Sequence, residues 1–86
     1  MPTLCTFYGI DIRMFWRDHN PPHFHAVYSG EEVLIDIRTM EIIRGGIAKR
    51  ALVLVMEWAL DHRADLLEDW ELCSNQQTPK PIAPLS

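Results

Sequence analysis

The residues of this chain best suited to chemistry are its histidines, and three of the four fall in one short segment, Asp18-His19-Asn20-Pro21-Pro22-His23-Phe24-His25. On a strand, His23 and His25 project to the same side, about 6.5–7 Å apart at Cα. Two imidazoles so placed can share a metal ion, with His19 or Asp36 as a third ligand. Such a nitrogen-and-oxygen donor set suits a divalent transition metal such as zinc, nickel or iron. A structural zinc site normally takes four protein ligands with some cysteine, and neither Cys5 nor Cys73 lies near this segment in sequence.

A second chemistry is general acid–base catalysis. A His25–Asp36 pair would orient and charge an imidazole, and Arg38 or Arg13 could stabilise a phosphoryl oxyanion, the layout of a metal-independent ribonuclease. The plainer reading of the same residues is a solvated sheet face carrying cross-strand His–Asp and Arg–Asp pairs. His19 has a structural reading as part of a turn, because Asp18 and Asn20 bond readily to their own backbone. His62 is read as a helix-end residue meeting the dipole there. Gly45-Gly46, with Arg44, Lys49 and Arg50 around it, lacks the spacing of a phosphate loop and reads as a sheet-to-helix connection.

The elements that must position these groups follow from hydrophobic period. From Gly9 to Arg17 the chain alternates, with Ile10, Ile12, Met14 and Trp16 on one side and Asp11, Arg13, Phe15 and Arg17 on the other, the pattern of a half-buried strand. Pro21 and Pro22 interrupt it, since proline donates no ladder hydrogen bond. Strands are expected over residues 23–28, 33–38 and 41–44. Reading Ser29-Gly30 as part of a four-residue loop pairs Tyr28 with Val33, Ala26 with Ile35 and Phe24 with Ile37, all apolar. That register places His25 opposite Asp36, His23 opposite Arg38, Met14 opposite Ala26 and Phe15 opposite His25. The outer face then collects Asp11, Arg13, Arg17, His23, His25, Asp36 and Arg38.

Residues 47–62 show no period of two and contain no glycine or proline, so they read as a helix, apolar nearly all round between Ala51 and Leu60. Residues 63–73 read as a second helix or a bent continuation, with Trp58 and Trp70 as core anchors. The expected fold is α+β: a three- to four-stranded antiparallel meander, covered on one face by a long helix with a second helix behind it. A single domain over 1–86 is expected, with a sheet region at 3–44, a helical region at 47–74 and an extended, proline-rich tail at 75–86.

Composition narrows the function classes. An 86-residue chain with 48% hydrophobic residues has room for one modest core that buries about 60–65% of its unfolded surface. Twelve acidic against eight basic side chains give a net charge of -4, which disfavours nucleic acid, whose binding rests on neutralising phosphates. Two isolated cysteines, with neither a signal-peptide pattern nor an apolar run long enough to cross a bilayer, give the expectation of a cytoplasmic protein with reduced thiols and no membrane association. The apolar helix offers more surface than a thin sheet covers, so a homo-oligomer or a small protein partner is expected.

The chain also resembles the bacterial domain-of-unknown-function family DUF4160. The resemblance rests on Met1-Pro2-Thr3 with Phe7-Tyr8-Gly9-Ile10, on the hallmark Asp18-His19-Asn20-Pro21-Pro22-His23-Phe24-His25-Ala26, on Ile35-Asp36-Ile37, on Glu57-Trp58-Ala59 with His62-Arg63, and on Trp70-Glu71-Leu72 with Pro79-Lys80-Pro81-Ile82. It implies a short bacterial protein often encoded beside a second small protein, a pairing reminiscent of toxin–antitoxin modules. The leading expectation is a protein-interaction component of such a two-gene module, favoured by the acidic charge, the apolar helix and the absence of a complete catalytic motif, and without a cofactor. The alternatives are a metal-binding protein using the His-x-His strand with a divalent transition metal, and a small ribonuclease-like toxin using His25, Asp36 and Arg38.

Overall fold

Two short turns of one kind set the register of the sheet. In the computed structural model, which describes residues 2–86 (Met1, the first residue of the expected domain, lies outside them), strand β1 (Thr3–Phe7) joins β2 (Ile10–Arg13) through Tyr8-Gly9. Strand β3 (His23–Tyr28) joins β4 (Glu31–Asp36) through Ser29-Gly30. All four turn residues have positive φ, from 50° to 80°, the two-residue hairpin geometry whose twist matches that of its strands. With β5 (Ile42–Gly45) they form a five-stranded antiparallel meander in sequence order.

The fold class is α+β as expected, with five strands where the pattern suggested three or four. β1 escapes a period-two reading because its register shifts between Thr3 and Cys5, so its buried residues Leu4 and Phe7 stand three apart. The two-residue turn also corrects the β3–β4 register. Phe24 pairs with Ile35, Ala26 with Val33 and Tyr28 with Glu31. On the other side, Ile12 and not Met14 pairs with Ala26. Both slips are of two residues, which changes the partners but leaves every side chain on its expected face.

One face carries Ile10, Ile12, Phe24, Ala26, Val33 and Ile35, all fully buried. Helix α1 (Lys49–Asp61) lays Ala51, Val55, Trp58 and Ala59 into this core, the i, i+4, i+7, i+8 stripe of a helix with one dry face. Helix α2 (Arg63–Ser74) adds Leu66, Trp70 and Cys73. At the bend between the helices, His62 stacks on Trp58 at 5.2 Å and holds Asp65 through Nδ1 at 3.1 Å. No helix among the described residues is long and apolar enough to cross a membrane.

The two sheet edges differ. The tail after α2 runs beside β1: the Ile82 amide donates to the Leu4 carbonyl (3.2 Å), the Lys80 amide to Asp69 Oδ1 (2.8 Å), and the Trp58 indole to the Ala83 carbonyl (2.8 Å). Strand β5, on the opposite edge, is exposed along its whole length. Its last residue, Gly45, has φ +75°, and a Cβ there would overlap the Glu32 carbonyl oxygen, so glycine is required where β5 meets β4.

Candidate metal centre

Strand β2 ends at Arg13, and the next nine residues fold back over the sheet face opposite the helices. The returning loop is fastened to the end of α2. The Arg17 amide donates to the Cys73 carbonyl (3.2 Å) and the Trp16 indole to the Gln77 carbonyl (3.3 Å). With the Gln76 amide oxygen turned toward Arg17, it accepts from Nη1 at 3.0 Å and Nε at 3.2 Å. Arg17 itself has φ +56°, a left-handed backbone that costs a non-glycine residue about 1–2 kcal/mol and is held here by those anchors. The result is a lid that carries Asp18 onto β3. Trp16, which alternation placed with the core residues, is about half exposed because the strand has already ended.

Beneath this lid His23 and His25 are buried, at 6% and 5% exposure. The face expected to be solvated is therefore dry around them. Phe15 packs edge-on against His25 at 4.5 Å, Trp70 lies 5.2 Å from His23, and the two imidazoles are 5.2 Å apart. Every ring nitrogen of the pair has a partner, as buried polar groups require. His23 Nδ1 donates to the Pro21 carbonyl at 2.8 Å, and its Nε2 faces Asp18 Oδ2 at 3.0 Å. His25 Nδ1 lies 3.1 Å from Glu32 Oε2, and its Nε2 lies 3.5 Å from the same Asp18 oxygen.

The tautomer follows from these contacts. A carbonyl only accepts, so the His23 Nδ1 carries a proton and the neutral ring presents a bare Nε2 lone pair to Asp18. That contact closes either as a charge-assisted hydrogen bond from an imidazolium or by two lone pairs sharing one cation. The second arrangement is that of metal-bound histidines, which donate the remote ring N–H to a carbonyl or carboxylate while the near nitrogen binds the ion. Here Pro21 and Glu32 hold those remote positions. One ligand atom from each of Asp18, His23 and His25 lies within 4.8 Å of the others. Zinc bonds of about 2.0–2.1 Å imply tetrahedral edges near 3.4 Å, close to the two Asp18–His distances of 3.0 and 3.5 Å, and an ion shared by all three groups would need the two imidazoles at a similar spacing.

Asp18 is held as a carboxylate. Burial would raise its pKa, but the His19 amide donating to Oδ1 (2.8 Å) and the two imidazoles on Oδ2 outweigh burial and lower it below the ordinary value.

The other residues singled out by sequence lie apart from this cluster. His19 is exposed at the border of the cleft, outside the ligand set, and its backbone amide holds Asp18. Asp36 stands opposite His23, not His25, and its Oδ1 accepts the amides of Arg38 (2.8 Å) and Thr39 (3.1 Å), closing the β4–β5 turn. Arg38 is exposed beyond the last β3–β4 pair and borders a different groove with Pro22, Leu67 and Trp70. His25 stands opposite Leu34. The set His25, Asp36 and Arg38 is therefore not brought to one point. The residue that sequence reasoning missed is Asp18, read only as a turn former. Its signal was its place: a carboxylate five residues before the first strand histidine, across a double-proline turn that must reverse the chain.

Residues 9–71 match the family model described as "Domain of unknown function (DUF4160)". No curated protein and no solved structure matches the chain. The match spans most of the sequence and includes the lid, both strand histidines, helix α1 and most of α2, and the chain belongs to the DUF4160 family.

Proposed function

We propose that this protein binds a divalent transition metal ion through Asp18, His23 and His25. The observation that carries the reading is the orientation of the two buried imidazoles. Their near nitrogens converge on one carboxylate oxygen while their remote nitrogens are engaged by Pro21 and Glu32. Three protein ligands leave coordination positions open toward a cleft, the arrangement of metal centres that take an exogenous ligand, whereas closed structural sites use four. Zinc and ferrous iron both suit two imidazoles and one carboxylate.

Elemental analysis of full-length protein, purified without a histidine tag, is expected to give about one equivalent of metal. Asp18→Asn, His23→Ala and His25→Ala are each expected to lose it while keeping the circular dichroism of the parent. A metal-free protein that also fails to bind added Zn²⁺ or Co²⁺ at micromolar concentration would sink the reading.

A second reading, a protein-interaction component of a two-gene module, is favoured by the uncovered β5 edge, since an unpaired strand is a template for adding another. Light scattering across a concentration series tests its homo-oligomeric form, and a constant monomer mass counts against it.

A further inference from the structure

The three ligands sit in a cleft of about 570 Å³ bounded by the lid on one side and by β4 and β5 on the other. Its walls are unusual for this surface. Phe15, Trp16 and Ile43, three of the large apolar side chains that the described residues expose, all line it, at 38%, 49% and 44% exposure. An exposed apolar cluster around a few convergent polar groups is the general form of a small-molecule site, and the volume lies within the usual range of about 300–1,000 Å³.

The charge on those walls selects the ligand. Arg13, His25, Leu34 and Arg44 form one row across the sheet, each paired in register with the next. With strands about 4.8 Å apart, Arg44 stands about 10 Å from His25 at Cα, on the open side of the cleft. The three arginines of this region differ in their commitments. Arg13 is ion-paired with Asp11 at 2.9 Å, and Arg17, which borders the cleft, spends its Nη1 and Nε on the neutral Gln76 oxygen. Arg44 has no carboxylate within ion-pair distance among the described residues. With Asp18 and the Glu32 carboxylate behind His25, a divalent ion leaves the floor near neutral but with open coordination positions, and the positive charge of the rim comes from Arg44 and Arg17.

We infer, on the basis of the metal-centre reading, that the cleft binds a small organic anion. Its carboxylate or phosphate group lies between the metal and the Arg44 guanidinium, and its apolar body rests on Trp16 and Ile43. Arginine suits both head groups because its planar fork matches their paired oxygens. The apolar walls separate this ligand from a bare inorganic ion.

The test uses the full-length chain loaded with Co²⁺, whose visible bands report its coordination, titrated with inorganic phosphate, phenyl phosphate and benzoate. Phenyl phosphate or benzoate is expected to change the Co²⁺ spectrum and to bind about tenfold more tightly than inorganic phosphate. The stronger of the two assigns the head group. Arg44→Gln is expected to weaken anion binding about tenfold without changing Co²⁺ affinity. Ile43→Thr is expected to reduce the advantage of the aromatic anions and leave inorganic phosphate unchanged. Co²⁺ binding with a spectrum indifferent to all three anions at millimolar concentration overturns the inference and leaves the metal centre standing. Failure to bind Co²⁺ overturns both.

Discussion

On the helix side of the sheet, Phe24 and Ile35 are removed from water by apolar neighbours alone. On the lid side, His23 and His25 are nearly as dry, but their burial depends on Pro21, Asp18 and Glu32 answering every ring nitrogen. The first kind of burial stabilises through area and tolerates small shifts. The second adds little net stability, because each hydrogen bond replaces one to water, yet it fixes orientation tightly because any unpaired nitrogen is costly. The two faces should therefore respond to substitution in separate observables, stability on one and ligand binding on the other.

The largest stability effect should come from the helix side. Trp58 is 1% exposed, packs 5.5 Å from Phe7 and 6.1 Å from Phe24, and holds the tail through its indole. Trp58→Ala is expected to cost about 3–5 kcal/mol in denaturant unfolding. If that variant folds, its metal content per folded molecule should match the parent. A selective loss of metal would break the division between the faces.

On the lid side, Glu32→Ala removes the carboxylate behind His25 and leaves all three ligands in place. Metal affinity should fall about 10–100-fold by competition titration, the usual effect of losing a group that orients a ligand, and metal-free stability should fall by about 1 kcal/mol, less than for Trp58→Ala, because His25 Nδ1 loses its partner. An unchanged affinity would mean that Glu32 does not set the imidazole.

Smaller effects come from titratable groups caught in the core. Asp69 is 1% exposed and one of its oxygens has no partner. Burial raises its pKa, the Lys80 amide lowers it less, and Glu68 and Asp65 add to the rise. The folded chain thus holds this proton more tightly than the unfolded chain, so through this group stability rises as pH falls from neutrality toward the ordinary carboxylate range. Asp69→Asn keeps an oxygen for the Lys80 amide. It should unfold at pH 7 no more easily than the parent, within about 1 kcal/mol, and should lose that part of the pH dependence. Asp18 acts with the opposite sign: its lowered pKa contributes stability above the ordinary carboxylate range, lost as the group protonates.

The least effect is a matter of rate. Burial pushes the Cys5 thiol up to about 11, and burial with the nearby Asp69 charge raises Cys73. Both should react with a disulfide reagent at pH 8 far more slowly in the folded protein than after denaturation. Fast labelling of Cys73 would show that the α2 end, where the lid is fastened, opens often.

The same division explains what could be read in the sequence. Alternation assigned Ile10, Ile12, Phe24 and Ala26 to one side and His23 and His25 to the other, because period two is a property of the strand itself. It could not count the residues in the Ser29-Gly30 turn, so the partners of the histidines came out two residues off. Nor could it see the lid, since the fall of Asp18 onto His23 depends on Arg17 meeting Cys73 and Gln76, residues 56 and 59 positions further along the chain and joined to it only by the fold. β1 was hidden by its bulge. Residues 18–25 stood out as a group from their types alone, while the pairing of Asp18 with His23 and His25 required three dimensions.

Gly45 carries a consequence for how this protein tolerates change. It bears no chemistry and lies outside the ligand set, yet any side chain there must displace the Glu32 backbone, and the Glu32 carboxylate holds His25. In a library of single substitutions sorted by metal retention, position 45 should score with the ligands themselves, while Gly46, around which a Cβ meets nothing, should accept almost any residue. Two adjacent glycines would then differ as sharply as an active-site residue and a linker.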